Sequence, residues 1–82
     1  MEIEKYKWYK SVQITPELSS LEKDSNGVKG WFVIEISNGD LYTANRWKEG
    51  SYWYWDVESA YTEKLIETEG VKNWMLIQAP EK

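Results

Sequence analysis

Two glycine-bearing turns, Asn38-Gly39 and Lys48-Glu49-Gly50, cut the stretch from Gly30 to Trp55 into three runs rich in β-branched and aromatic residues. Asn-Gly between apolar runs is the strongest short-range hairpin signal, because a type I′ turn needs positive φ at both central residues. A three-residue loop closed by a left-handed glycine is the next most common solution. The stretch 31–55 must therefore fold as an antiparallel meander, and the remaining segments must pack on or beside it.

The turns set the register. A two-residue loop at Asn38-Gly39 pairs Ile36 with Leu41, Ile34 with Thr43 and Phe32 with Asn45, so that Phe32, Ile34, Ile36 and Leu41 form a core face. Glu35 with Tyr42, Val33 with Ala44 and Trp31 with Arg46 then share the opposite face. A three-residue loop at Lys48-Glu49-Gly50 adds Trp53 and Trp55 to the core face and Tyr52 and Tyr54 to the other. Both faces are apolar or aromatic, so both must be covered or one must be offered to a ligand.

Flanking segments extend the sheet. Residues 6–14 alternate with period two, with Tyr6, Trp8, Val12 and Ile14 on one side, and predict an N-terminal strand. Thr15-Pro16 suits a helix start, and breakers at 24–27 limit it to a helical turn near 16–22. Asp56 as N-cap, Val57, Ala60, Tyr61 and Leu65 at helical spacing, and Gly70 as C′ cap favour a short helix near 57–68. Thr62, Thr68 and Leu65-Ile66 would sit equally well in a strand. Asn73 to Gln78 predicts a central strand, apolar on both sides, ended by Pro80. The expected fold is α+β but mainly β: an antiparallel sheet of about five strands, in one variant a partly closed barrel, forming a single domain over 1–82.

With no cysteine, neither a disulfide nor a thiolate metal site can support so short a chain, and apolar burial must carry stability. The six tryptophans, six tyrosines and one phenylalanine supply it, since each buried ring removes roughly 150–250 Å² from water. The absence of histidine as well removes the usual general base and first-choice metal ligands, so the chain is read as non-enzymatic and without a cofactor. An N-terminus lacking an apolar core and the absence of any long apolar run point to a soluble, cytoplasmic protein with no membrane partner.

Net charge is −4, which argues against a nucleic-acid backbone as ligand. The whole imbalance lies between Asp56 and Gly70, where five acids face one base. A solvated face is the plain account of such a run. The sharper one is that Glu58, Glu63, Glu67 and Glu69 dock a basic surface of another protein, a host factor inhibited in this way. Trp31, Tyr42, Tyr52 and Tyr54 form the second candidate surface, a platform for a partner side chain or a sugar ring unless another layer covers it. Self-association through the N-terminal edge strand, giving a homodimer, is a third reading.

The words Gly70-Val71-Lys72-Asn73-Trp74-Met75-Leu76-Ile77-Gln78-Ala79-Pro80 resemble the ending of a family of short, uncharacterised phage and prophage proteins that close on a Val-Thr-His-Trp-Met-Pro-Leu-Pro-like segment. Tyr9-Lys10-Ser11-Val12 with Pro16 resembles the family's opening, and Gly39 with Trp47-Lys48-Glu49-Gly50 its middle. Asn73 stands where histidine is usual in the family, and Leu76 and Ala79 replace residues near the family's prolines. The resemblance implies a mobile-element origin and a small β-rich fold, with no assigned activity.

Overall fold

The computed structural model describes residues 2–58 and 63–78. It is mainly β, one antiparallel sheet of six strands that does not close into a barrel. The strands are β1 (Trp8–Lys10), β2 (Gly27–Ile36), β3 (Leu41–Glu49), β4 (Tyr52–Glu58), β5 (Glu63–Glu67) and β6 (Val71–Gln78). Their order across the sheet is β1-β6-β2-β3-β4-β5, so the last strand in sequence lies inside the sheet.

The inner face carries the core. Phe32, Ile34, Ala44, Trp55 and Trp74 are fully buried, with Tyr9, Val28, Val57, Val71 and Leu76 around them. The aromatic rings organise it: Trp74 stacks on Tyr9 at 5.0 Å and meets Phe32 edge-on at 5.7 Å, and Phe32 meets Trp55 edge-on at 5.4 Å. Such offset and edge-to-face pairs stabilise beyond the area they bury. The lid over this face is the irregular segment after β1. Ile14 and Leu21 pack on the core, and the Trp74 indole N–H donates to the Ile14 carbonyl at 2.8 Å. Pro16–Leu18 forms a single 3-10 turn, as the Thr15-Pro16 start predicts.

Several expectations are corrected. The helix predicted near 57–68 is absent where the structure is described: β4 runs through Glu58 and β5 pairs back on it. The inward alternation of Trp55 and Val57 continues past Asp56, so Asp56 is a strand residue rather than a cap. Ala60, Tyr61 and Thr62 lie outside the described residues. The N-terminal strand is shorter than 6–14 because Tyr6 adopts φ 63° before it and the chain turns after Lys10, whose carbonyl accepts from the Gln13 and Ile14 N–H groups, and Tyr9 rather than Trp8 faces the core.

The first turn differs by one residue. Among the described non-glycine residues only Tyr6 has positive φ, so Asn38 cannot take part in a type I′ turn. Its side-chain oxygen instead accepts the Asp40 N–H at 2.9 Å, and a three-residue loop closes on Gly39 at φ 93°. Phe32 therefore faces Ala44 and Ile34 faces Tyr42. A one-residue slip exchanges the faces of a strand, so Ala44 and Arg46 turn inward and Leu41 turns outward, 57% exposed. The second loop is Gly50-Ser51, one residue shorter than predicted, with Glu49 opposite Tyr52. That flips the parity again and returns Trp53 and Trp55 to the core side.

Arg46 consequently lies in the core at 1% exposure. Its Nε and Nη2 donate to the two carboxylate oxygens of Glu17 at 2.9 and 3.0 Å, and Nη2 also donates to Thr68 Oγ1 at 2.9 Å. The Thr68 hydroxyl in turn donates to the Trp53 carbonyl at 3.0 Å. The guanidinium carbon sits 4.9 Å from the Trp55 ring centre and 5.8 Å from that of Trp53. Burial pushes the Glu17 carboxyl up, but the hydrogen bond and charge of Arg46 outweigh it and hold the pKa below its ordinary value.

Removing one partner of a buried pair costs about 3–5 kcal/mol. Glu17→Ala should fall near the low end, about 3 kcal/mol, because the Glu17 side chain keeps 13% exposure and water can reach the guanidinium. With its folded pKa depressed, Glu17 contributes stability that is present above the unfolded-state pKa and lost as pH falls through the folded one. Urea denaturation of wild type and Glu17→Ala should thus show a gap at neutral pH that narrows as pH drops from about 5 to about 2; a gap independent of pH would refute the ion pair.

Candidate functional site

The outer face of the sheet is open. Trp47, Leu65 and Tyr52 are 37%, 42% and 70% exposed, and Trp8 is 44% exposed at the β1 edge. Cross-strand register arranges this face in rows: Trp47 opposite Tyr54 opposite Glu67, and Asn45 opposite Asp56 opposite Leu65. Two depressions flank the first row.

The depression at the end of β4 and β5 has a volume of about 410 Å³ and is lined by Tyr52, Trp53, Tyr54, Glu67, Thr68 and Glu69. The short Gly50-Ser51 loop presents Tyr52 at the mouth, and the 3-10 turn Thr68–Gly70 swings Glu69 back beside Glu67. Trp53 already carries Arg46 and the Lys48 ammonium, each 5.8 Å from its ring centre. The two tyrosine rings and two carboxylates are what the depression offers to a ligand.

The other depression, about 470 Å³, lies where β2 bulges away from β3. Between the pairs Val28–Arg46 and Phe32–Ala44, three residues of β2 face the single residue Asn45. Gly30 permits this with φ 122°, and Asn45 Nδ2 fastens the bulge by donating to the Gly30 carbonyl at 2.9 Å. Bulges of this kind re-aim side chains and are common beside functional sites. Trp31, Trp47, Asn45, Asp56, Lys29 and Gln78 are among the groups around the cavity.

The eight residues singled out from sequence are thus divided. Tyr52, Tyr54, Glu67 and Glu69 come together in one depression, while Trp31 lines the other. Tyr42 pairs with Ile34 and so belongs to the inner face, at its rim. Glu58 and Glu63 pair with each other at the far end of the β4–β5 hairpin. Arg46, expected beside Trp31 on an exposed platform, is inside. Trp47 and Asn45 were not singled out because the register predicted from Asn38-Gly39 put Asn45 in the core, and Asp56 was read as a helix N-cap. Among the described residues no group of three or more Asp or Glu side chains is placed to hold a metal ion. Glu35 accepts from Asn73 at 2.7 Å and Asp40 is tied to Asn38 at 3.1 Å, so each has a local structural partner. No helix among the described residues is long and apolar enough to cross a membrane.

Comparison with protein-family models returned no match, and searches of curated proteins and of solved structures returned none either. The geometry of the outer face is therefore the basis for any functional reading.

The bulge requires a close backbone approach at Gly27, where an added Cβ would lie 2.2 Å from the Arg46 carbonyl oxygen. Backbone cannot yield as a side-chain tip can. Gly27→Ala should destabilise by about 1–3 kcal/mol, as overpacking does, and lower the thermal midpoint accordingly. An unchanged midpoint would show that the strands can separate there without penalty.

Proposed function

We propose that the protein is a small non-enzymatic binding module that captures a basic segment of another protein. The observation supporting this is the convergence of Tyr52, Tyr54, Glu67 and Glu69 around one depression at the sheet edge. An ammonium or guanidinium group gains about 0.5–1 kcal/mol over an exposed aromatic ring, and nearby carboxylates add charge-assisted hydrogen bonds. Neither alone selects a partner. Together they favour a lysine or arginine side chain on an accessible surface, and the excess of acid between Asp56 and Gly70 would steer such a surface in. The resemblance of the segment from Gly70 to Pro80 to phage and prophage proteins supports a mobile-element origin, in which inhibition of a host factor by occupancy is the expected role.

A fluorescent Lys/Arg-rich peptide should bind, with affinity falling as salt rises. The double variant Glu67→Lys, Glu69→Lys should weaken it at least about tenfold, equivalent to about 1.4 kcal/mol. Tyr52→Ala should weaken it by less. Since Tyr52, Glu67 and Glu69 are all exposed, the thermal midpoint should hardly move. Binding that survives the double charge reversal would sink the proposal.

A further inference from the structure

We infer that the cleft beneath the β2 bulge is a second, independent site, which takes a neutral saccharide. Its floor and walls differ in kind from those of the aromatic–acidic depression. The register sets Asn45 between the two tryptophans: Trp47 is opposite Gly27, and Trp31 is the last residue of the bulge, directly before Phe32, whose partner is Ala44. Asp56 lies across from Asn45 on β4. Two indole surfaces thus stand around an amide and a carboxylate in a space of about 470 Å³, within the usual size of small-molecule sites, roughly 300–1,000 Å³.

The polar groups decide the ligand class. One Asn45 Nδ2 N–H is committed to the Gly30 carbonyl, which fixes the amide and leaves Oδ1 as an acceptor and the second N–H as a donor. Asp56 adds carboxylate acceptors, and Gln78 and Lys29 add donors. A ring carrying several hydroxyls, each donor and acceptor, can meet both kinds at once. Charge selects against an anion such as a phosphate or nucleotide, which Asp56 and Asp24 would repel, while Lys29 is paired with Glu22 at 3.5 Å. Arg46 borders the cleft but its charge is held by Glu17 on the inner side. A sugar's apolar C–H face would lie on indole, which is amphipathic and rigid.

The test is a ¹H–¹⁵N NMR titration of the full chain with neutral oligosaccharides of glucose, galactose and N-acetylglucosamine, up to about 10 mM, which detects affinities near 1 mM. Of the six indole N–H signals, those of Trp31 and Trp47 should move saturably with at least one glycan, together with the Asn45 amide. Trp47→Ala should raise Kd at least about tenfold, while the double variant Glu67→Lys, Glu69→Lys should leave glycan binding unchanged. The separate charge-reversal response keeps failure here distinct from failure of the peptide site. No shift with any glycan, shifts insensitive to Trp47→Ala, or the same shifts produced by inorganic phosphate or lysine methyl ester would each overturn the inference.

Discussion

Arg46 brings a full positive charge into a core otherwise built of aromatic and aliphatic side chains. Left without its carboxylate, that charge would cost about 3–5 kcal/mol, a large part of a small domain's stability. It is tolerated because Glu17 from the lid, Thr68 from the turn after β5, and the faces of Trp53 and Trp55 all converge on it. The same contacts pin three parts of the chain that no continuous secondary structure links. They also pin register. A one-residue slip of β3 would expel Arg46 and draw Asn45 and Trp47 inward, so the outer-face cleft exists only while Arg46 stays in.

The outermost strand β5 shows how one set of residues can serve two purposes. An edge strand presents unpaired backbone groups and invites pairing with other chains, a hazard that charged side chains reduce. Glu63, Lys64 and Glu67 lie on that strand. The acid excess of the chain is therefore concentrated where protection of the edge is needed and where a basic partner would meet it. Leu65, 42% exposed, lies among these charges on the outer face opposite Asp56.

Much of the sheet was legible in the sequence. The meander and the central C-terminal strand follow from alternation and turn residues, and Trp53 and Trp55 face inward as expected because the two differences in loop length cancel. What was misread has local physical causes. Asn38 uses its side chain to bind Asp40 and so avoids the positive φ that an Asn-Gly turn would demand, and this single choice reversed the assignment of Tyr42, Arg46 and Leu41. The spacing of Val57, Ala60, Tyr61 and Leu65 fits a helix as well as Thr62 and Leu65-Ile66 fit a strand, and only pairing with β4 decides. Arg46 could not be placed inside from sequence, since its partner Glu17 lies 29 residues earlier in an irregular segment. Trp47 and Asn45 were hidden by the register read from Asn38-Gly39.

The position of β6 governs the order in which this molecule can assemble. Val71–Gln78 is inserted between β1 and β2, and Trp74 on it touches Tyr9, Phe32 and Trp55. The hairpins of β2, β3, β4 and β5 can form as the chain emerges, but β1 has no neighbour until β6 arrives. Until then the inner face lacks its central indole and stays uncovered. Covering the inner face therefore requires Val71–Gln78 to pair with both β1 and β2, contacts of high sequence separation of the kind that slow folding.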